Sequence, residues 1–99
     1  MHKPIIWSPS SENDFANILD YLFKNWGDHV ALQFINMTDV ILSQISNNPR
    51  QFPIIYKRKK IRKCVLTKHN TLFYRNSKTN IEILRIYDTR QYPDNLIFK

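Results

Sequence analysis

The sequence predicts an α+β protein whose helices and strands are segregated along the chain, and three observations lead there. An apolar run, Ile5-Ile6-Trp7, closes on Ser8-Pro9. Two stretches with helical spacing follow it, and after Ile61 the pattern changes to short β-rich runs. The expected order is an N-terminal strand, a two-helix antiparallel hairpin, then a three-stranded antiparallel sheet.

The first run is branched and aromatic, and the Ser-Pro pair ends it as a strand followed by a turn. In the first helix Phe15, Ile18, Leu19, Leu22 and Trp26 recur at the spacing of one helical face. Ser10 or Ser11 is expected to cap it, and Glu12 and Asp14 suit the positive end of its dipole. Gly27, the chain's one glycine, stops it. Asp28 is expected to cap the second helix, where Ala31, Phe34, Thr38, Ile41 and Ile45 form a stripe with Leu42 beside it. Ser46-Asn47-Asn48-Pro49 ends that pattern. Helices so close in sequence fold back as a hairpin. Their apolar residues, with Trp7 and Trp26 as anchors, are read as the surface that packs on a sheet.

Strands are expected over residues 61–66, 71–75 and 81–87. Connections of four and five residues permit only antiparallel hairpins. Along the last strand Ile81, Ile83, Arg85 and Tyr87 should face one way, and Glu82, Leu84, Ile86 and Asp88 the other. Mixed character on both sides marks a central strand, with helices over one face and a partly open groove on the other.

Ninety-nine residues, 42% of them hydrophobic, suit one compact domain over residues 1–99. Charge is uneven along them. Residues 1–49 hold two lysines against five carboxylates (net −3), whereas residues 50–99 hold 13 Lys/Arg against three (net +10). Phe52 to Ile81 carries no acid, and inside it Lys57-Arg58-Lys59-Lys60-Ile61-Arg62-Lys63 places six cations in seven positions. A desolvated core strand cannot hold such a run, so it belongs on an exposed loop and a sheet edge or open face, where it meets polyanions or an acidic partner. One cysteine, Cys64, excludes an intrachain disulfide and a multi-cysteine zinc site, and it reads as an inert, partly buried thiol. His2, His29 and His69 lack metal-ligand spacing, so neither a metal nor a cofactor is expected. The N-terminus has no apolar signal core and no run is long enough to span a membrane, so a cytoplasmic protein is expected.

Several short segments then carry a family likeness: Trp26-Gly27, Asn48-Pro49 with Phe52-Pro53, Ile61-Arg62-Lys63, Phe73-Tyr74-Arg75, and Ile81-Glu82-Ile83-Leu84-Arg85-Ile86 leading to Thr89-Arg90-Gln91. In order and spacing the chain resembles the RelE/ParE toxins of bacterial toxin-antitoxin modules, which serve in plasmid stabilisation and growth inhibition. The resemblance implies the RelE/ParE-like fold and a basic toxin held inactive, as a hetero-oligomer, by a cognate antitoxin. The basic half gives an acidic, apolar-studded antitoxin segment something to bind.

Two activities are open within that superfamily. ParE-like members inhibit DNA gyrase by binding it, with no catalytic step of their own. RelE-like members cleave mRNA on the ribosome, which needs a proton-transfer group beside cations that stabilise the phosphorane. In Asn70-Thr71-Leu72-Phe73-Tyr74, Thr71 stands where RNA-cleaving members place a catalytic arginine, and no histidine follows His69. Tyr87-Asp88-Thr89-Arg90-Gln91 resembles the ending of ParE-like members. The resemblance therefore implies gyrase inhibition, with ribosome-dependent RNA cleavage as the alternative and a relative retaining only antitoxin or nucleic-acid binding as a third. The expected binding residues are Lys57, Arg58, Lys59, Lys60, Arg62, Lys63, Arg85 and Arg90. Were the chain an RNase, Lys60, Arg62, Arg90 and Tyr92 would carry the chemistry. Arg85, alone in an apolar strand, either lines a groove or pairs with Asp88 or Glu82.

Overall fold

A computed structural model describes residues 2–88. Its elements are β1 (Ile5–Trp7), α1 (Pro9–Trp26), α2 (Asp28–Asn47), β2 (Ile54–Tyr56), β3 (Ile61–Thr67), β4 (Asn70–Asn76) and β5 (Ile81–Asp88). The expected α+β order holds, but the sheet has five strands in the order β1-β5-β4-β3-β2 instead of three. Two short strands account for the difference. β1 pairs parallel to β5, with Ile5 opposite Ile81 and Trp7 opposite Ile83. β2 pairs antiparallel with β3 and forms the opposite edge of the sheet.

The helix ends differ from the expectation in an instructive way. Ser8, not Ser10 or Ser11, is the N-cap of α1; its Oγ accepts the Ser11 backbone N–H at 3.0 Å. Pro9 then sits in the first helical turn, where its missing N–H has no helical partner to lose. Ser8 also donates its backbone N–H to the Ile83 carbonyl and its hydroxyl to the Leu84 carbonyl, so the cap ties the helix start to β5. Gly27 separates the helices at φ +90°, where a side chain would be strained. It is the N-cap of α2 with no side-chain cap bond, and Asp28 is already helical.

The stripes do what their spacing predicts. Phe34, Leu42 and Ile45 of α2 are buried in one cluster with Cys64, Leu66, Leu72, Tyr74, Ile81, Ile83 and Ile86 of the sheet. Phe15, Ile18, Leu19 and Leu22 of α1 pack against it, and Phe15 stacks on Phe34 with ring centroids 5.7 Å apart. Complete burial of Ile45, Ile83 or Leu72 contributes about 1.5–3 kcal/mol per side chain. Trp7 joins this core edge-on to Phe15 at 5.3 Å. Trp26 does not; it is 65% exposed.

β5 breaks the strict alternation expected of it. Phe73 pairs with Arg85 but Tyr74 pairs with Ile83, so Leu84 is an extra residue and β5 bulges there. Beyond the bulge the parity flips. Ile86 joins Ile81 and Ile83 in the helix-side core, while Leu84 and Tyr87 join Ile61 and Phe73 in a second buried cluster. Instead of an open groove, the far face therefore carries this cluster, with Phe73 and Tyr87 edge-on at 5.7 Å.

Candidate functional site

The basic run forms the turn between β2 and β3. Lys57, Arg58, Lys59 and Lys60 are all exposed, and the Lys60 N–H donates back to the Lys57 carbonyl at 3.2 Å. Lys60 closes the turn at φ +55°, the left-handed region that glycine or asparagine occupies at lower cost. Two arginines hold the surrounding backbone. Arg75 Nε on β4 donates to the Lys59 carbonyl at 2.9 Å, and Arg62 Nη1 on β3 donates to the carbonyls of Phe52 at 2.6 Å and Arg50 at 3.2 Å. Arg62 is thus part of the frame as well as of the charged surface.

These contacts shape a cleft of about 440 Å³ lined by Arg50, Ile54, Lys57, Lys60, Arg62 and Asn76. Of the expected binding residues, Lys57, Lys60 and Arg62 meet there. Arg58 and Lys59 do not line it, and exposed Lys63 alternates to the opposite face from Arg62. Arg90 and Tyr92 lie outside the described residues. Arg50 went unrecognised in the sequence because it stands apart from the run, just past Asn48-Pro49; the fold closes that gap. Among the described residues the lining has no carboxylate, imidazole or phenol. It can hold an anion, and the proton-transfer groups of its described lining are the lysines Lys57 and Lys60 alone.

Arg85 is elsewhere and engaged. Among the described residues its carboxylate partner is Asp14 of α1, where the sequence suggested Asp88 or Glu82: Nε donates to Oδ2 at 2.7 Å and Nη2 to Oδ1 at 2.9 Å, a bidentate pair. Arg85 also lies over the Tyr87 ring, 4.5 Å from its centroid. The bonds of Ser8 to the Ile83 and Leu84 carbonyls hold the start of α1 on β5, which brings Asp14 beside Arg85. The residue is a structural anchor in this geometry.

A second concavity, about 730 Å³ and mainly apolar, opens between the helices and one end of the sheet. Tyr21, Leu22 and Trp26 of α1 and Val30, Phe34 and Met37 of α2 form its walls, with His69 and Asp88 at its sheet end. Trp26, expected in the core, is instead the exposed wall of this groove.

Cys64 is buried, and burial pushes its thiol up to about 11, so it stays protonated and unreactive at neutral pH. Burial likewise pushes the Tyr74 phenol up to about 12, against the smaller opposing pull of Arg62; the hydroxyl donates to the Pro49 carbonyl at 2.6 Å. Native protein at pH 8 should therefore react with a thiol reagent at least about a hundredfold more slowly than protein in denaturant, read by absorbance of the released thiolate. Comparable rates would show that the thiol is accessible. Among the described residues no cluster of His, Cys, Asp and Glu could hold a metal ion, and no helix is long and apolar enough to cross a membrane.

Comparison with known proteins assigns this framework. Solved structures share it: a chromosomal ParDE toxin-antitoxin system from P. aeruginosa aligns with TM-score 0.73 and 18% identity over 88% of this chain and 96% of that one. A YoeB/ParE toxin from Agrobacterium tumefaciens gives 0.62 and 12% over 86% and 96%. The E. coli DinJ-YafQ toxin-antitoxin complex gives 0.61 and 14% over 91% and 96%. At these identities the likeness is one of fold. No curated protein matches the sequence. The family model described as the ParE toxin of the type II toxin-antitoxin system parDE matches residues 5–93. With nearly the whole chain inside that match and the same fold in the ParDE structure, this protein belongs to the ParE toxin family of type II toxin-antitoxin systems.

Proposed function

We propose that this toxin inhibits DNA gyrase by binding it, without a catalytic step of its own, and that a cognate antitoxin neutralises it. The observation that carries the gyrase reading is the cationic cleft, whose described lining offers anion-binding groups and no carboxylate, imidazole or phenol beside its lysines. The ParE family match and the buried Thr71, at the position where RNA-cleaving relatives carry arginine, support the same reading. The ParDE and DinJ-YafQ structures are toxin-antitoxin systems, and a partner helix presenting an apolar face would suit the groove walled by Leu22, Trp26 and Met37. Both partners would meet this toxin in the cytoplasm.

Expression without antitoxin tests the reading in cells. DNA synthesis should stop before protein synthesis, and a short acidic reading frame adjoining the gene should restore growth. Protein synthesis stopping first would instead favour ribosome-dependent mRNA cleavage, for which the juxtaposition of Lys60 and Arg62 in one cleft is the supporting observation. The two readings also differ in mutational response. For a docking surface, Lys57→Ala, Arg58→Ala, Lys59→Ala and Lys60→Ala should each weaken inhibition by about twofold to tenfold. A collapse by orders of magnitude at one of them would mark a catalytic group.

A further inference from the structure

We propose that Arg75 and Glu82 are a positioning pair that sets the shape of the cationic turn, and that docking on the target depends on that shape as well as on the turn's charge. The inference deepens the proposed docking role of the turn and rests on the gyrase reading for the target. Lys57, Arg58, Lys59 and Lys60 place four cations in consecutive positions. Their mutual repulsion favours an open turn, against the backbone bond from the Lys60 N–H to the Lys57 carbonyl. A contact from the neighbouring strand opposes that opening. Arg75 of β4 pairs with Ile61, the residue just after the turn, and from there its Nε donates to the Lys59 carbonyl at 2.9 Å.

Glu82 makes this contact possible. No acid occurs from Phe52 to Ile81, and the first one after that gap is Glu82. The register of β4 and β5 puts it directly opposite Arg75, with Oε2 3.8 Å from Nη1. Its other oxygen, Oε1, accepts the Ser77 hydroxyl, which holds the carboxylate in place. Without Glu82, Arg75 would bring a fifth cation to the turn. A guanidinium is planar, so aligning Nη1 with Glu82 also aims Nε at Lys59. The two side chains are 33% and 37% exposed, and a pair so accessible adds little to global stability. Its consequence is local, in where the four cations stand.

Two full-chain variants, Arg75→Lys and Glu82→Gln, separate shape from charge when each is assayed for gyrase inhibition and, independently, for the rate of tryptic cleavage within residues 57–60. Arg75→Lys keeps the positive charge but replaces the fork with a single point charge. Glu82→Gln keeps an acceptor for Ser77 and makes the protein more positive, so a turn acting through charge alone would inhibit more strongly. Positioning predicts the opposite sign. Both variants should need about threefold to tenfold more toxin for half-inhibition, and both turns should be cleaved at least about threefold faster. Their urea midpoints should stay within about 0.3 M of the wild type, which marks the change as local. Unchanged cleavage rates in both folded variants, or stronger inhibition by Glu82→Gln, would overturn the proposal. Faster cleavage of both variants, with gyrase untouched even by the wild type, would uphold the positioning of the turn and count against the gyrase reading alone.

Discussion

Replacing Asp14 with alanine is expected to destabilise the protein by about 3 kcal/mol, a large part of the roughly 5–15 kcal/mol that holds a small protein folded. Three bonds converge on this carboxylate: two from the Arg85 guanidinium, at 2.7 and 2.9 Å, and one from the Ile86 backbone N–H at 2.9 Å. The side chains are only 12% and 23% exposed, so water replaces them poorly. Ile86 lies past the end of β1, where β5 has no strand neighbour on that side among the described residues; Asp14 supplies the missing acceptor. Removing it strands both a guanidinium and a backbone donor. Arg85→Met should cost less, because Asp14 keeps the Ile86 N–H and the apolar replacement can pack on Tyr87. Urea midpoints of the two variants check this, and an Asp14→Ala loss below about 1 kcal/mol would show that the pair is solvated.

Alkaline conditions should remove a comparable amount. The ordinary pKa values of a thiol and a phenol, 9.0 and 10.0, are pushed up to about 11 for Cys64 and about 12 for Tyr74 by burial. Each therefore stays protonated in the fold after it ionises in the unfolded chain. The stability they contribute is complete below pH 9. It is lost as pH rises, over about 9 to 11 for Cys64 and 10 to 12 for Tyr74, at on the order of 2 kcal/mol each. Denaturant midpoints of the wild type between pH 8 and 11 should fall steeply. Cys64→Ala should flatten the earlier part of that fall. Tyr74→Phe should flatten the later part while losing the bond to Pro49 at all pH values. A flat wild-type profile up to pH 11 would contradict the burial of both groups.

What the sequence disclosed was what depends on neighbours a few residues apart. Helical spacing located both helices and the stripe from Ala31 to Ile45, and β-rich runs located β3, β4 and β5. The pairing of β1 with β5 joins Ile5 to Ile81, and no local pattern records such a partner. β2 spans only Ile54–Tyr56 between a proline and the cationic turn, too short for alternation to show. The bulge at Leu84 carried a faint signal, because Ile81, Ile83, Leu84 and Ile86 do not fit one period-two face.

The site divides the same way. The cationic turn was legible because it is contiguous, and Arg50 was not because the fold delivers it from outside the run. Asp14 read as a helix-end charge, since nothing near it in sequence announces Arg85, 71 residues away. Trp26 continued the stripe of Leu22, yet periodicity says which face a residue shares and not how far along the helix the sheet extends. It ended in the groove wall.

The most direct test of the gyrase reading is purified gyrase with relaxed plasmid, ATP and increasing amounts of this toxin, scored for supercoiling and for cleaved plasmid trapped on denaturation. Dose-dependent loss of supercoiling with trapped cleavage is expected, relieved by antitoxin and weakened gradually by charge removal from Lys57 to Lys60. Unchanged supercoiling with folded toxin in excess, alongside cleavage of mRNA on programmed ribosomes, would contradict it.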